Sequence, residues 1–252
     1  MGLLDLEALP DAQPRLDALI AQGARILDLD GTEPASEAAA DRLIWDNRGR
    51  MGLVAGSQGV EYALVRHWQD IVMIPPSPPP ASAGKVDRIA AVSRSVSLVM
   101  AAQLDWARQN GFALVPFNAR APCASDTDLT PDEARATRTA LQATADGLRP
   151  LVHSATGHGG PQVPAFRDTL AASDTAPETA NRRIGQALAR TLDVTLHGSG
   201  IRRAVISGGD SFGHAICQLG LSALVANAPT ITGAALCQAY GDGQQFGIEE
   251  SR

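Results

Sequence analysis

The predicted fold depends on one stretch, Arg203-Ala-Val-Ile-Ser-Gly-Gly-Asp-Ser-Phe-Gly-His-Ala-Ile-Cys-Gln-Leu-Gly220. Its apolar residues 204–206 predict a buried strand. Gly208 and Gly209 follow, and without a Cβ they allow dihedrals and close approaches that other residues forbid. A helix then begins, and the unpaired N–H groups of its first turn favour an anion, most simply a phosphate. The alternative is a tight strand-to-helix turn with no ligand, because a single Gly-Gly-Asp is weak evidence.

Composition indicates an ordinary globular protein that binds small molecules. The 252 residues, 44% hydrophobic and 19% charged, can form one large domain or two small ones. A net charge of −6 argues against nucleic acid as a partner, and no apolar run approaches membrane-spanning length. The start, Met1-Gly-Leu-Leu-Asp-Leu-Glu, lacks the basic region of a signal peptide, so we expect a cytoplasmic protein.

The cysteines and lysines exclude two kinds of site. Cys123, Cys217 and Cys237 are widely spaced and form no C-x-x-C motif, which argues against a disulfide framework and against zinc. Lys85 is the only lysine, and the chain contains no Walker A motif. A bound phosphate would therefore be held by backbone N–H groups, hydroxyls, arginine or a metal.

A proline-rich segment at 75–84 predicts a linker between two parts, 1–74 and 85–252. In the first part we expect strands and helices in alternation, at 25–29, 37–44, 52–55 and 60–68. A polar turn, residues 56–59, follows the second of these strands.

The second part shows a clearer alternation. Strands are predicted at 88–92, 112–117, 151–153 and 204–206, and helices at 99–110, 131–147 and 179–196, the second with Thr130 as N-cap. This order predicts a three-layer α/β/α fold with a mostly parallel, Rossmann-like sheet, preceded by a partial second α/β segment. Ligands of such sheets bind beyond the carboxyl ends of the strands, where the turns 93–97 and 207–211 lie.

Other side chains are expected to be structural. The helix 99–110 is predicted to bury one face, formed by Val99, Ala102, Gln103, Trp106 and Ala107. The three tryptophans, Trp45, Trp68 and Trp106, are assigned to hydrophobic cores. His153, His158 and His214 are candidate general bases, but as isolated histidines they are interpreted as surface or capping residues.

The three polar turns together resemble the four-carbon acid sugar kinases, whose chains pair an N-terminal substrate domain with a C-terminal nucleotide-binding domain. The matching stretches are Gly56-Ser-Gln-Gly-Val60, Ser93-Arg-Ser-Val-Ser-Leu-Val-Met-Ala-Ala-Gln103 and Gly208-Gly-Asp-Ser-Phe-Gly213. The resemblance runs from about residue 22 to the C-terminus. The family's Ala-Asp-Asp-x-Thr-Gly-Ala opening is missing, so 1–74 is identified as a remnant of the substrate domain and 85–252 as the nucleotide domain.

The resemblance implies phosphorylation of a four-carbon sugar acid, such as a threonate, an erythronate or a 3-oxo-tetronate, by ATP with Mg²⁺. It also implies a separately supplied substrate domain, and we expect a homo-oligomer that covers the interrupted domain. By position, the nucleotide would contact Ser93, Arg94, Ser95, Ser97, Gly208, Gly209, Asp210 and Ser211. Asp210 would act in catalysis and hold Mg²⁺, and the alternative is that it caps a helix.

The chain departs from the family pattern at both turns. Arg94 replaces a glycine, Leu98 a proline, Met100 a threonine and Phe212 a serine. Arg94 is expected either to block the phosphate site or to pair with a phosphate, and Glu249 stands where the family carries a lysine. These departures support a second hypothesis, a degenerate, non-catalytic member that serves as a nucleotide-binding or partner subunit.

Overall fold

The computed structural model describes residues 2–5, 12–30, 33–56, 58–76, 84–97, 99–123, 126–231, 234–241 and 247–251. The chain forms two compact units, Met1–Pro79 and Pro80–Arg252, which are described separately. Their boundary falls within the range predicted as a linker, and residues 77–83 of that range lie outside the described residues.

Unit 1 is a small α/β unit. Strand β1 (Gly2–Asp5) pairs in parallel with β2 (Leu27–Asp30), and α1 (Gln13–Ala21) connects them. Two further helices follow, α2 (Pro34–Asp46) and α3 (Gln58–Asp70), and Trp45 of α2 meets Trp68 of α3 edge to face at 5.6 Å. A small apolar cluster, Ala12, Leu16, Leu19 and Leu43, holds α1 against α2.

The strand predicted at 52–55 is wrong. These residues are irregular and exposed, and Leu53 is 86% exposed. An apolar run becomes a strand only when a neighbouring strand satisfies its backbone groups, and the described sheet of unit 1 pairs β1 with β2 alone.

Unit 2 carries a seven-stranded sheet. Its strands are β3 (Ala90–Ser93), β4 (Phe112–Pro116), β5 (Arg149–His153), β6 (Arg203–Ser207), β7 (Leu221–Ile231), β8 (Ala234–Gly241) and β9 (Gly247–Ser251). The helices are α4 (Met100–Gln109), α5 (Asp126–Ala145), α6 (Gln162–Ala171), α7 (Pro177–Ser199) and α8 (Gly209–Gln218). The strand order is β4-β5-β3-β6-β9-β8-β7; the first five are parallel, β8 is antiparallel to β9, and β7 is antiparallel to β8.

Helices cover both faces of this sheet, which confirms the predicted three-layer α/β/α architecture. Alternate side chains of β3 point to opposite faces, so Val92 joins one core and Ala91 the other. The larger core also contains Ile184, Leu188 and Leu192, which recur every fourth residue along α7. The smaller core lies under α4.

The face predicted for α4 is wrong. The helix buries Met100, Leu104 and Ala107, whereas Val99 is 56% exposed and Trp106 is 61% exposed. Both sets of residues share a face at helical spacing, but the aliphatic side chains of the observed set fit against Ala91 and Leu151 of the sheet. The assignment of Trp106 to the core is therefore also wrong.

The predicted start of α5 is wrong as well. The helix begins at Asp126, so Thr130 and Pro131 lie inside it rather than at its amino end. A proline in the second turn removes a single hydrogen bond, so the helix can continue through it at a local cost. Helix α6 and the strands β7 to β9 were not predicted.

Candidate functional site

Two predicted turns meet at the carboxyl edge of the sheet. Strands β3 and β6 are parallel neighbours, with Ser93 paired to Ser207 at their ends. Just beyond, the Arg94 N–H donates to the Ser207 carbonyl at 3.2 Å. The following helices, α4 and α8, lie on opposite faces of the sheet, so the two turns line the crevice in which doubly wound sheets bind their ligands.

The amino end of α8 forms one wall of this crevice. Its N-cap is Gly208, at φ 109°, and Gly208 offers no side chain to cap the helix. The Phe212 N–H donates to the Gly208 carbonyl at 3.0 Å, so residues 209–211 hold the first N–H groups without intrahelical partners. A Cβ at Gly208 would lie 3.9 Å from the Ser95 nitrogen, which shows how closely the two turns approach.

Ser211 adds a buried polar atom to this wall. The residue is 1% exposed, and its Oγ has no hydrogen-bond partner among the described residues. An unsatisfied buried hydroxyl costs about 1–3 kcal/mol. Since a Cβ at Gly208 would lie 3.7 Å from this Oγ, the atom lies beside the helix end that would receive an anion.

Asp210 is the second residue of α8. The helix is capped by Gly208, so the alternative that Asp210 is the N-cap is wrong. The side chain of Asp210 lies outside the described residues, but a carboxylate in the first turn suits the positive end of the helix dipole. Within the described residues, no group of three or more His, Cys, Asp and Glu could hold a metal.

The turn after β3 forms the second wall and is held by its own serines. The buried Ser93 hydroxyl donates to the Met100 sulfur at 3.3 Å and accepts the Ser95 N–H at 3.2 Å. The Ser95 hydroxyl in turn accepts the Ser97 N–H at 3.3 Å. Ser93 therefore stabilises the turn through these hydrogen bonds, and Ser95 and Ser97 carry the more accessible hydroxyls.

Arg94 is anchored to the backbone of α7. Its Nη1 donates to the Asn181 carbonyl of α7 at 3.2 Å, and the residue is half-buried. Of the other departures, Phe212 packs against the larger core, and Leu98 lies outside the described residues. Glu249 lies inside β9, paired with Val205, and its side chain is not among those described.

A third wall, formed by the loop after β5, was not assigned to the site. His153 ends β5 beside Ser93, and the Ser154 N–H donates to the Ser93 carbonyl at 3.1 Å. In the same loop Gly157, at φ 99°, lies so close to the turn after β3 that a Cβ would be 3.5 Å from the Ser97 carbonyl oxygen. The polar, glycine-rich run 156–160 was a usable signal for this contact.

The interpretation of His153 as a surface or capping residue is wrong. The residue is buried at the strand end, and its Nδ1 lies 3.2 Å from the Ala155 carbonyl oxygen. Burial lowers the pKa of His153 below its ordinary value, against the effect of the Ala155 hydrogen bond, so the ring is neutral at pH 7. His214 packs its ring against Gly185 of α7, and His158 is exposed.

Comparison with known proteins identifies the family of unit 2 and a relative of most of the chain. Residues 90–248 match a family model described as a nucleotide-binding C-terminal domain. The chain is 37% identical over 231 residues to 3-oxo-isoapionate kinase of Paraburkholderia graminis, which covers 91% of this chain and 49% of that protein. It therefore spans about half the length of this relative.

Two crystal structures show the same fold. One is of a protein from Salmonella typhimurium LT2, with a TM-score of 0.60 and 18% identity over 99% of this chain and 56% of that chain. The other is of Haemophilus influenzae protein HI1011, from the DUF1537 family, with a TM-score of 0.56 and 14% identity over the same shares. No described helix is long and apolar enough to cross a membrane.

Proposed function

Because the chain belongs to the four-carbon acid sugar kinase family, we propose that it binds ATP in the crevice between β3 and β6 and supports phosphorylation of a sugar acid. The substrate class is a four-carbon acid such as a threonate, an erythronate or a 3-oxo-tetronate. The 37% identity to a 3-oxo-isoapionate kinase supports a kinase that acts on a sugar acid.

The observation that carries this proposal is the amino end of α8. Its first N–H groups face a crevice without a capping side chain, beside a buried hydroxyl that has no described partner. Phosphoryl transfer requires mainly that a protein position the phosphates and stabilise their charge. Backbone N–H groups fixed at a helix end do both, because they need no reorganisation when the ligand arrives.

We assign phosphate contacts to five of the predicted residues. The N–H groups of Gly209 and Asp210 and the Ser211 hydroxyl would donate to phosphate oxygens, and Ser95 and Ser97 would contact them from the opposite turn. Asp210, with phosphate oxygens, would hold Mg²⁺, which prefers one or two carboxylates. Bound Mg²⁺ would neutralise part of the phosphate charge. This contribution is needed because Arg94 is the only cation among the eight predicted contacts.

The acceptor half of the reaction is proposed to come from a separate substrate domain. In this proposal residues 1–74 are the end of such a domain. Unit 1 holds a two-stranded sheet, and its exposed apolar side chains include Leu53, Val72 and Met73. Exposed apolar surface of this kind is suited to contact with a partner chain or a second copy. The homo-oligomer stays a prediction, as does the cytoplasmic location.

A second function, nucleotide binding without catalysis, is favoured by one feature of the β3 turn. The Ser93 hydroxyl donates a hydrogen bond to the Met100 sulfur, so it is engaged inside the turn and is not available to a ligand. A member of this kind would act as a partner or regulatory subunit and would still bind nucleotide at α8. Both functions therefore predict ATP binding, but only the kinase function predicts phosphoryl transfer.

The test is a calorimetric titration with ATP, with and without Mg²⁺, for the wild type and the Asp210→Ala variant. We expect saturable binding that depends on Mg²⁺ and is lost in the variant. Glu178→Ala is a matched control, because it removes an exposed carboxylate from the first turn of another helix, α7. Absence of binding to millimolar ATP by a folded protein would contradict the proposal.

Catalysis is tested separately, by ADP release with threonate, erythronate and 3-oxo-tetronate, alone and with a candidate substrate-domain chain. Release of ADP that depends on one of these acids supports the kinase. ATP binding without ADP release under every condition supports the subunit function instead.

A further inference from the structure

A second concave site lies at the opposite, amino-terminal edge of the same sheet. It is a cavity of about 550 Å³ lined by the residues that lead into β3 and β6, together with Gln238 of β8. Its polar lining consists of Lys85, Asp87, Arg88, Arg202, Arg203 and Gln238. Small-molecule sites have volumes of roughly 300–1,000 Å³, so the space suits a metabolite rather than a macromolecule.

The charge of this lining is unusual for the chain. Four cations and one carboxylate give a formal charge of +3, in a protein whose net charge is −6. The carboxyl end of α7, which stops at Ser199 beside the cavity, contributes about −0.5 of a charge. The lining therefore carries a net positive charge, which favours the binding of an anion.

The backbone that carries these cations is held in place. The Arg203 Nη1 donates to the Gly84 carbonyl at 3.1 Å, and the Arg149 Nε donates to the Asp87 carbonyl at 3.2 Å. Ala90 pairs with Ala204 near the start of the two strands, and Arg88 and Arg202, which precede this pair, both line the cavity.

The sheet also explains why there is room. Arg203 pairs with Gly247 of β9, and Gly247 pairs with Gln238 of β8, so the three residues form one row across the sheet. Residues in such a row project to the same face, and the central glycine has no side chain. The row therefore has a long side chain at each end and no side chain in its centre.

We propose that this cavity binds a small anion that carries two or more negative charges on phosphate groups, at a site separate from the ATP crevice. Arginine side chains bind phosphate oxygens in pairs, and the lysine adds a point charge. The two sites lie at opposite ends of β3, which spans four residues, so they can be occupied at the same time. The proposal does not depend on the kinase function.

Lys85 gives this site its own chemical reporter, because it is the only lysine in the chain. The native protein is acylated with an amine-reactive reagent, and peptide mass spectrometry measures the rate of acylation at Lys85. This rate therefore reports on the cavity alone. With inorganic pyrophosphate as the probe, we expect acylation of Lys85 to slow at least fivefold and to saturate with pyrophosphate concentration. An unchanged rate of Lys85 acylation up to millimolar pyrophosphate would overturn the proposal.

Calorimetry with pyrophosphate provides the second readout. The double variant Arg88→Gln, Arg202→Gln should bind at least tenfold more weakly, whereas Arg42→Gln, Arg182→Gln, which removes two exposed arginines elsewhere, should bind as the wild type does. The Gly208→Ala variant should retain binding at this cavity. Equal affinities in the two double variants, or loss of binding only in Gly208→Ala, would show that pyrophosphate binds elsewhere.

Discussion

The two edges of the sheet in unit 2 present opposite means of holding an anion. At the carboxyl edge the groups are the N–H groups at the end of α8 and a buried hydroxyl, and the nearby histidine is neutral. At the amino edge they are four cationic side chains that line a cavity, three of them on exposed residues. The first arrangement depends on backbone geometry in a confined space, and the second depends on charge that salt can screen.

The largest effect should come from changing the backbone at the carboxyl edge. Gly208 has φ 109°, a conformation that L-residues rarely adopt, so Gly208→Ala forces the turn to move at a cost of about 1–3 kcal/mol. If this cost is imposed on the bound geometry, ATP affinity falls by up to about 100-fold. Titration calorimetry measures the loss.

Gly213→Ala is the matched control for that variant. Gly213 lies in the same helix without a positive φ, and a Cβ there meets no atom within 4 Å. This substitution should leave ATP affinity unchanged and stabilise the helix by about 0.5–1 kcal/mol. Equal losses of affinity in the two variants would show that the Gly208 turn has no particular role.

Salt should separate the two edges next. Raising NaCl from about 50 to about 300 mM should weaken pyrophosphate binding at the amino edge about tenfold, because exposed charges are screened. ATP binding with Mg²⁺ at the carboxyl edge should weaken less than threefold, because fixed backbone dipoles in a confined site are screened less. Equal salt dependence at both edges would remove the distinction.

Substitution of Ser211 should have smaller effects, which are opposite in sign for stability and for ATP affinity. Ser211→Ala removes a buried hydroxyl that has no described partner, so the ligand-free protein should become more stable by about 1 kcal/mol. The same change should weaken ATP binding about fivefold, the value of one hydrogen bond. Thermal unfolding and calorimetry measure the two quantities, and a variant that loses stability without losing affinity would contradict the proposed contact.

The sequence predicted the carboxyl edge well because its signals are local. An apolar run that ends in Gly208 and Gly209 restricts the chain to a strand, a turn and a helix, and the alternation of elements then brings the turn beside Ser93. The face of α4 was not predictable in the same way, because Trp106 and Leu104 compete for burial and only the shape of the sheet decides between them.

The amino edge was missed for a related reason. Arg88 and Arg202 are more than 100 residues apart, and they line one cavity because β3 pairs with β6. The row formed by Arg203, Gly247 and Gln238 likewise depends on β8 and β9, which lack a clear apolar alternation. Charge that converges through long-range pairing leaves no local pattern, whereas a glycine turn does.

The smallest effect concerns the neutral histidine of the carboxyl edge. Burial lowers the pKa of His153, so the unfolded chain takes up a proton near its ordinary value of about 6.5 before the folded chain does. Stability is therefore full above this pH and declines as the pH falls toward the folded value. Urea unfolding at about pH 7.5 and about pH 5.5 should show a decline that is reduced in His153→Gln, which cannot titrate. An equal decline in both proteins would mean that His153 takes up its proton in the folded state as well, and the carboxyl edge would then acquire a charge of the kind that defines the amino edge.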